Sequence, residues 1–181
     1  STDQNVTLTG AYKNLPYRVS LGYTKQQGVL KTSDYERYTA SVSLNPTFFD
    51  DHLAVNFNAK GMYSKTSYAS TSAIGSAVSM DPTKPVYMND DFYKQNFGGY
   101  FQYHSVVDRG DTAWGFSQNS LSTHNPVHYL NEASDKGKGK ELTGNIELDY
   151  KIHGFEDLHI HMNAGMDLKS GKSNKEYSRY Y

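Results

Sequence analysis

Two histidines and an aspartate in the last quarter of the chain are of types and spacing that could bind a metal. His159 and His161 lie two positions apart, and Asp167 has the same parity. On a β-strand, residues of one parity share a face, so these side chains would point the same way, as zinc ligands must. The alternative is a polar strip on a strand that faces water. We expect the polar strip, and therefore neither a metal site nor a cofactor.

A pair of carboxylates offers a second chemistry. Glu147 and Asp149 would lie on one strand face and could serve as a general acid and base. The sequence positions no nucleophile or substrate beside them, and it contains no Gly-rich phosphate loop and no cysteine. The alternative is again a water-facing polar strand, and we expect that this protein is not an enzyme.

The segment 87–129 combines aromatic rings with carboxylates and amides. Rings can stack on sugar faces while flanking polar groups hold the hydroxyls. The predicted ligand-binding residues are Trp114, Tyr100, Tyr103, Asp90 and Asp91. Alternatively, these rings pack the segment against itself or against a second protein that covers it.

Strict alternation of apolar and polar residues organises the rest of the chain. It predicts seven strands, at 5–13, 17–25, 35–45, 53–65, 141–152, 157–169 and 176–181. Several are longer than the ~5–6 residues of a typical soluble strand and approach the ~9–11 residues with which a tilted strand crosses a bilayer. The fold class predicted is therefore all-β, with antiparallel up-and-down strands that form part of a large transmembrane β-barrel. A soluble β-sandwich or meander is the alternative.

The connections between these strands alternate in length. Those at 13–16, 45–52 and 153–156 are short, as periplasmic turns are, and those at 26–34, 66–140 and 170–175 are longer, as extracellular loops are. The longest should contain a short helix at 72–80 and a flexible basic tip at 134–140. Five tyrosines fit the membrane-interface girdle of a barrel: Tyr12, Tyr17, Tyr38, Tyr63 and Tyr150.

Composition agrees with this prediction. Hydrophobic residues make up 36% of the chain, mean hydropathy is −0.73, and no stretch approaches 18 consecutive apolar residues, which excludes a membrane-spanning helix. A barrel strand is apolar only at every second position, so the low hydropathy does not exclude a barrel. The formal net charge of −1 argues against a nucleic-acid partner. Seven strands are too few for an ordinary barrel, so we expect a piece of a longer protein.

Several segments resemble the SusC/RagA family of TonB-dependent outer-membrane transporters of the Bacteroidetes type. They are NLPYRVSLGYT (14–24), the stretch 28–65, AIGSAVSMDPTKPVY (73–87), NPVHYLNE (125–132) and the stretch 144–167. The resemblance implies a 22-stranded barrel with an N-terminal plug, a TonB-binding segment and a SusD-like lipoprotein lid. It also implies TonB-driven import of oligosaccharides or peptides.

By this resemblance, residues 1–181 are one segment of such a barrel, with the long extracellular loop at about 66–140 and with the plug and remaining strands absent. The expected location is the outer membrane of a Gram-negative cell. The expected partners are the remaining barrel and plug, a SusD-like lipoprotein, TonB through the missing N-terminal part, an oligosaccharide or peptide substrate, and outer-membrane lipid. A soluble or cell-surface glycan-binding β-domain without transport is the alternative function.

Overall fold

A computed structural model describes residues 1–108, 114–119 and 121–180. The chain forms two compact units. The strand unit comprises Ser1–Gly28, Asp34–Thr66 and Gly137–Ser173. The loop unit comprises Val29–Ser33, Ser67–Lys136 and Asn174–Tyr181.

Nine strands are present among the described residues. In chain order they are β1 (Thr2–Tyr12), β2 (Leu15–Gln27), β3 (Asp34–Leu44), β4 (Thr47–Phe48), β5 (Leu53–Tyr68), β6 (His104–Asp108), β7 (Trp114–Gln118), β8 (Ala133–Ile152) and β9 (Phe155–Tyr177). Six long strands form one sheet in the order β1-β2-β3-β5-β8-β9, and the two-residue β4 pairs with β5. Each long strand is thus next to its neighbour in chain order, which confirms the predicted all-β up-and-down architecture.

Strand register places the alternating residues on two distinct faces. Tyr23 pairs with Tyr38 and Leu21 with Ala40 across β2 and β3, and directly opposed residues of an antiparallel pair share a face. This apolar face is open along its length, as Val6 is 70% exposed. Exposed apolar residues with this period of two are the pattern expected of the predicted transmembrane strands.

Three short connections lie at one end of the sheet. The amide of Asn45 donates to the carbonyl of Pro16 at 3.1 Å, and that of Lys151 donates to the carbonyl of His52 at 2.7 Å. The rings of His52 and His153 stack with centroids 3.9 Å apart. The turns at 13–14, 45–52 and 153–154 are therefore neighbours, as the prediction that they share one side requires.

The loop unit is a folded body with its own core. It contains α1 (Ser72–Ser79), α2 (Asp91–Phe97), α3 (Pro126–Glu132) and the hairpin of β6 and β7. The helix predicted at 72–80 is confirmed. The buried residues are Ala73, Phe97, Tyr100, Gln102, Asn125 and His128. Within the described ranges, no helix combines the length and the apolar character needed to cross a membrane.

Two local predictions are wrong. Residues 134–140 are not a flexible basic tip, because β8 begins at Ala133 and carries Lys136, Lys138 and Lys140 as exposed strand residues. Residues 170–175 are not a loop before a seventh strand, because β9 continues to Tyr177. In both places the strands extend through polar, Gly-containing sequence, where apolar alternation no longer marks them.

Candidate functional site

The polar face of the strand unit carries many hydrogen-bonding side chains. It forms a concavity of about 600 Å³. Its side chains include hydroxyl, amide and cationic groups from five neighbouring strands, namely Thr7, Arg18, Ser20, Arg37, Ser41, Asn58, Lys60 and Asn145. Such a mixture can bind an uncharged polyol through many weak hydrogen bonds, with a few cations for anionic groups.

Two groups on this face keep unused hydrogen-bonding capacity. Among the described residues, buried Nε of Arg37 and buried Oδ1 of Asn145 have no hydrogen-bond partner. Buried polar atoms are normally satisfied, so each marks a place where a ligand, water or another part of the protein can bind. These two residues were not predicted as site residues, because a single polar residue on an alternating strand carries no distinguishing sequence signal.

The carboxylate Glu147 is held by amides. Its Oε1 accepts a hydrogen bond from Asn145 at 3.2 Å, and its Oε2 accepts one from Asn56 at 3.4 Å. Asn56 in turn accepts from Asn58 at 2.9 Å. Glu147 is therefore part of a polar network across β5 and β8, which is the water-facing arrangement that the sequence favours.

The histidine pair lies beside Asp149 instead of Asp167. Nδ1 of His159 is 2.8 Å from Oδ1 of Asp149, and Nδ1 of His161 is 3.7 Å from its Oδ2. Asp167 pairs with Lys169 at 3.1 Å. No cluster of three or more His, Cys, Asp or Glu residues suited to a metal ion occurs in the described part of the chain.

In the loop unit, Tyr100 lies inside the core. Only 7% of the residue is exposed, and its ring packs 5.3 Å from Tyr87 and 5.1 Å from His128. Its hydroxyl accepts a hydrogen bond from Nδ2 of Asn131 at 2.9 Å, and burial raises the pKa of Tyr100. These contacts show that Tyr100 packs within the loop unit. Packing of this kind is the alternative to ligand contact that the sequence allows for these rings.

The two adjacent aspartates differ in their roles. Oδ1 of Asp90 accepts a hydrogen bond from the backbone amide of Phe92 at 2.8 Å, so Asp90 is the N-cap of α2. Asp91 is exposed in the first turn of that helix, where the helix dipole favours a carboxylate. Of this pair, Asp91 is the one whose carboxylate is free to meet a ligand without loss of a cap.

The remaining two predicted site residues are Tyr103, just before β6, and Trp114, the first residue of β7. Tyr103 is half-buried, with its ring edge-to-face on Phe101 at 5.1 Å. The backbone of Trp114 pairs with Asp108 in the hairpin, and its side chain lies outside the described residues. Ligand contact stays a prediction for all five residues, namely Trp114, Tyr100, Tyr103, Asp90 and Asp91.

Asn125 forms hydrogen bonds to three separate parts of the loop unit. Its Nδ2 donates to the carbonyls of Val86 at 2.7 Å and Phe101 at 3.2 Å, while its Oδ1 caps α3 by accepting from the amide of Val127. The sequence signal is the Asn-Pro pair, since Asn favours the N-cap position and Pro the first helical turn. The pair predicts the start of α3 but not the two distant carbonyls.

Comparison with known proteins gives one relationship along nearly the whole chain. The TonB-dependent receptor SusC of Bacteroides thetaiotaomicron is 45% identical over 182 aligned residues, which cover 99% of this chain and 18% of that receptor. The TonB-dependent receptor P26 of Formosa agariphila is 33% identical over 89 residues, covering 49% of this chain and 9% of that receptor. No protein-family model matches the chain.

The chain thus spans about a fifth of the length of the SusC receptor that it matches from end to end. The aligned residues cover 99% of the chain, so the alignment includes the six long strands as well as the loop unit between β5 and β8. The chain therefore belongs to the SusC-like family of TonB-dependent receptors, of which it corresponds to one segment.

Proposed function

We propose that the protein containing this segment is a TonB-dependent importer of glycans or their oligosaccharides in a Gram-negative outer membrane. Peptides are the second substrate class that the family resemblance allows. One observation carries the proposal: a six-stranded up-and-down sheet has an exposed apolar face and a polar face, and its sequence matches a TonB-dependent receptor along its length.

The polar face would line the lumen. Its hydroxyl and amide groups offer donors and acceptors to sugar hydroxyls, and the unused groups of Arg37 and Asn145 add directed hydrogen bonds. The remaining barrel and the plug would close the opposite side of this passage, and TonB would act on the protein through its N-terminal part.

The loop unit would lie on the extracellular side. Its polar and aromatic core gives it a defined shape, so it can present Tyr103, Trp114 and Asp91 to an incoming oligosaccharide. A SusD-like lipoprotein would cover this side as a lid, and the same three residues could contact that lid. Substrate and lid are thus two partners for one surface.

The test uses the full-length transporter in its native outer membrane. Tyr103→Ala and Trp114→Ala should each reduce oligosaccharide uptake several-fold, with the amount of transporter in the outer membrane unchanged. Phe49→Ala is the matched control, because Phe49 is an aromatic residue that lies in the short turn predicted to be periplasmic and is exposed. Uptake should also stop when TonB is deleted.

Two outcomes would contradict the proposal. Unchanged uptake in both variants at normal protein levels would place the substrate site elsewhere. A protein that fractionates away from the outer membrane and binds glycan independently of TonB would instead be the glycan-binding β-domain without transport.

A further inference from the structure

The apolar face of the strand unit contains a groove. The alternation of apolar and polar residues places apolar side chains on this face but does not by itself predict a groove there. Ala40 and Gly61 are two small residues of its lining, which also includes Val6, Leu21 and Tyr63. The groove has a volume of about 710 Å³, within the ~300–1,000 Å³ of typical ligand sites. A Cβ added to Gly61 would meet no atom within 4 Å, so this glycine leaves open space.

A row of tyrosines crosses the groove. Tyr23 and Tyr38 have ring centroids 5.0 Å apart, and Tyr38 and Tyr63 have centroids 6.4 Å apart. Because side chains of one parity share a face, Leu21, Ala40 and Gly61 form the adjacent row on that face. Tyrosine rows of this kind lie at a membrane interface, so the groove extends from the interface into the apolar layer.

Lysines lie on the other side of the tyrosine row. Nζ of Lys65 is 5.6 Å from the centroid of the Tyr63 ring, and Nζ of Lys140 is 6.0 Å from the same centroid. Among the described side chains, neither lysine forms an ion pair, whereas Lys25 pairs with Glu36 at 3.3 Å. Two ammonium groups over one ring leave a local excess of positive charge at the end of an apolar groove.

We propose that this groove binds one phosphate-bearing membrane lipid. The acyl chain of this lipid would lie along Ala40 and Gly61. Its headgroup would lie beyond the tyrosine row, with the phosphate between Lys65 and Lys140. Lysines near a membrane surface attract anionic headgroups, while the apolar groove selects a chain that a soluble anion lacks. The inference rests on the proposed contact of this face with lipid, and it goes beyond transport because it assigns a ligand to the outside of the barrel.

The first test compares two lipids with identical acyl chains. The full-length transporter is extracted from the outer membrane in mild detergent, and bound phosphatidylglycerol and phosphatidylcholine are counted by native mass spectrometry. The intact protein should prefer phosphatidylglycerol, by about five-fold for each lysine at the headgroup. The double variant Lys65→Gln/Lys140→Gln should lose this preference. The control Lys13→Gln/Lys172→Gln removes the same charge elsewhere and should keep it.

The second test fills the groove. Gly61→Leu should lower the binding of both lipids several-fold, because its side chain occupies the space of the acyl chain. Gly144→Leu is the matched control: by parity Gly144 belongs to the same face, a Cβ there also meets nothing within 4 Å, and it does not line the groove. Heat-modifiable gel mobility verifies that each variant is folded.

Equal binding of the two lipids by the intact protein would overturn the proposal, as would full lipid retention in the Gly61→Leu variant. If the protein is in the outer membrane and either result is obtained, the lipid site is wrong and the transporter proposal stands. If the protein is not in the outer membrane, both are wrong.

Discussion

The backbone amide of Asn125 donates a 3.1 Å hydrogen bond to Oε1 of Gln102, and these are the two most deeply buried side chains among the described residues, each 1% exposed. The 69–132 connection between β5 and β8 is therefore built around polar side chains that bind backbone groups from separate parts of the loop. Buried hydrogen bonds of this kind favour one arrangement of the loop, while Nε2 of Gln102 has no hydrogen-bond partner among the described residues. A surface loop with this interior can hold a fixed shape for a substrate or a lid.

Asn125→Ala should destabilise the loop unit by about 1–3 kcal/mol, because the carbonyls of Val86 and Phe101 lose their donor and α3 loses its cap. Hydrogen exchange of the purified transporter should show faster exchange in α3 and around residues 86–101. Asn89→Ala is the control, since Asn89 is exposed in the same segment. Equal protection in the two variants would remove Asn125 from this role.

The loop unit should also lose stability in mild acid. Burial lowers the pKa of His128, which is 3% exposed, below the usual value of about 6.5. A hydrogen bond with the backbone of Tyr180 and the charge of Glu132 oppose this shift, and His124 adds to it. The unfolded segment then binds a proton at a higher pH than the folded one. Stability is fully present above about pH 6.5 and falls as the pH drops from there towards the lowered folded-state pKa.

The measurement is amide protection in the loop unit at pH 7.5 and pH 5.5, corrected for the intrinsic pH dependence of exchange. Wild-type protection should decrease at pH 5.5, and His128→Gln, which cannot titrate, should show a smaller decrease. An equal decrease in the two proteins would assign the pH dependence to other groups.

The strand pattern was predictable from sequence because one parity of each strand meets a different solvent from the other. Leu21 and Tyr23 identify β2 in this way, and their observed partners Ala40 and Tyr38 follow from the same parity. Lys138 and Gly171 lie on extensions of β8 and β9 that parity did not reveal, because there neither face is apolar. Hydrogen bonds to the neighbouring strand determine the backbone at these positions, and a single sequence does not display them.

The candidate site was less predictable than the fold. Tyr100 and Tyr103 have the same residue type in the same aromatic segment, yet one is in the core and the other is half-buried. Asp90 and Asp91 are adjacent, yet only Asp90 caps α2. These differences arise from tertiary packing and helix position, and composition alone cannot assign them.

The sidedness of these strands can be tested with single cysteines, because none of the 181 residues is a cysteine. Lys84 is exposed in the loop unit, and Asp51 is exposed in a short turn. Lys84→Cys should react with an impermeant maleimide on intact cells, and Asp51→Cys should react only after the outer membrane is opened. The opposite labelling pattern would invert the predicted topology.

The claim that one face of these strands meets lipid and the other the lumen is tested most directly by two adjacent residues of β8. Ile146 is an exposed residue of the apolar face, and Asn145 belongs to the polar face. An Arg facing lipid near the bilayer midplane costs about 2–4 kcal/mol, whereas an Arg in the lumen does not. Heat-modifiable gel mobility of the full-length transporter should therefore show impaired assembly for Ile146→Arg and near-normal assembly for Asn145→Arg. Equal assembly of the two variants, or greater impairment of Asn145→Arg, would contradict the assigned faces.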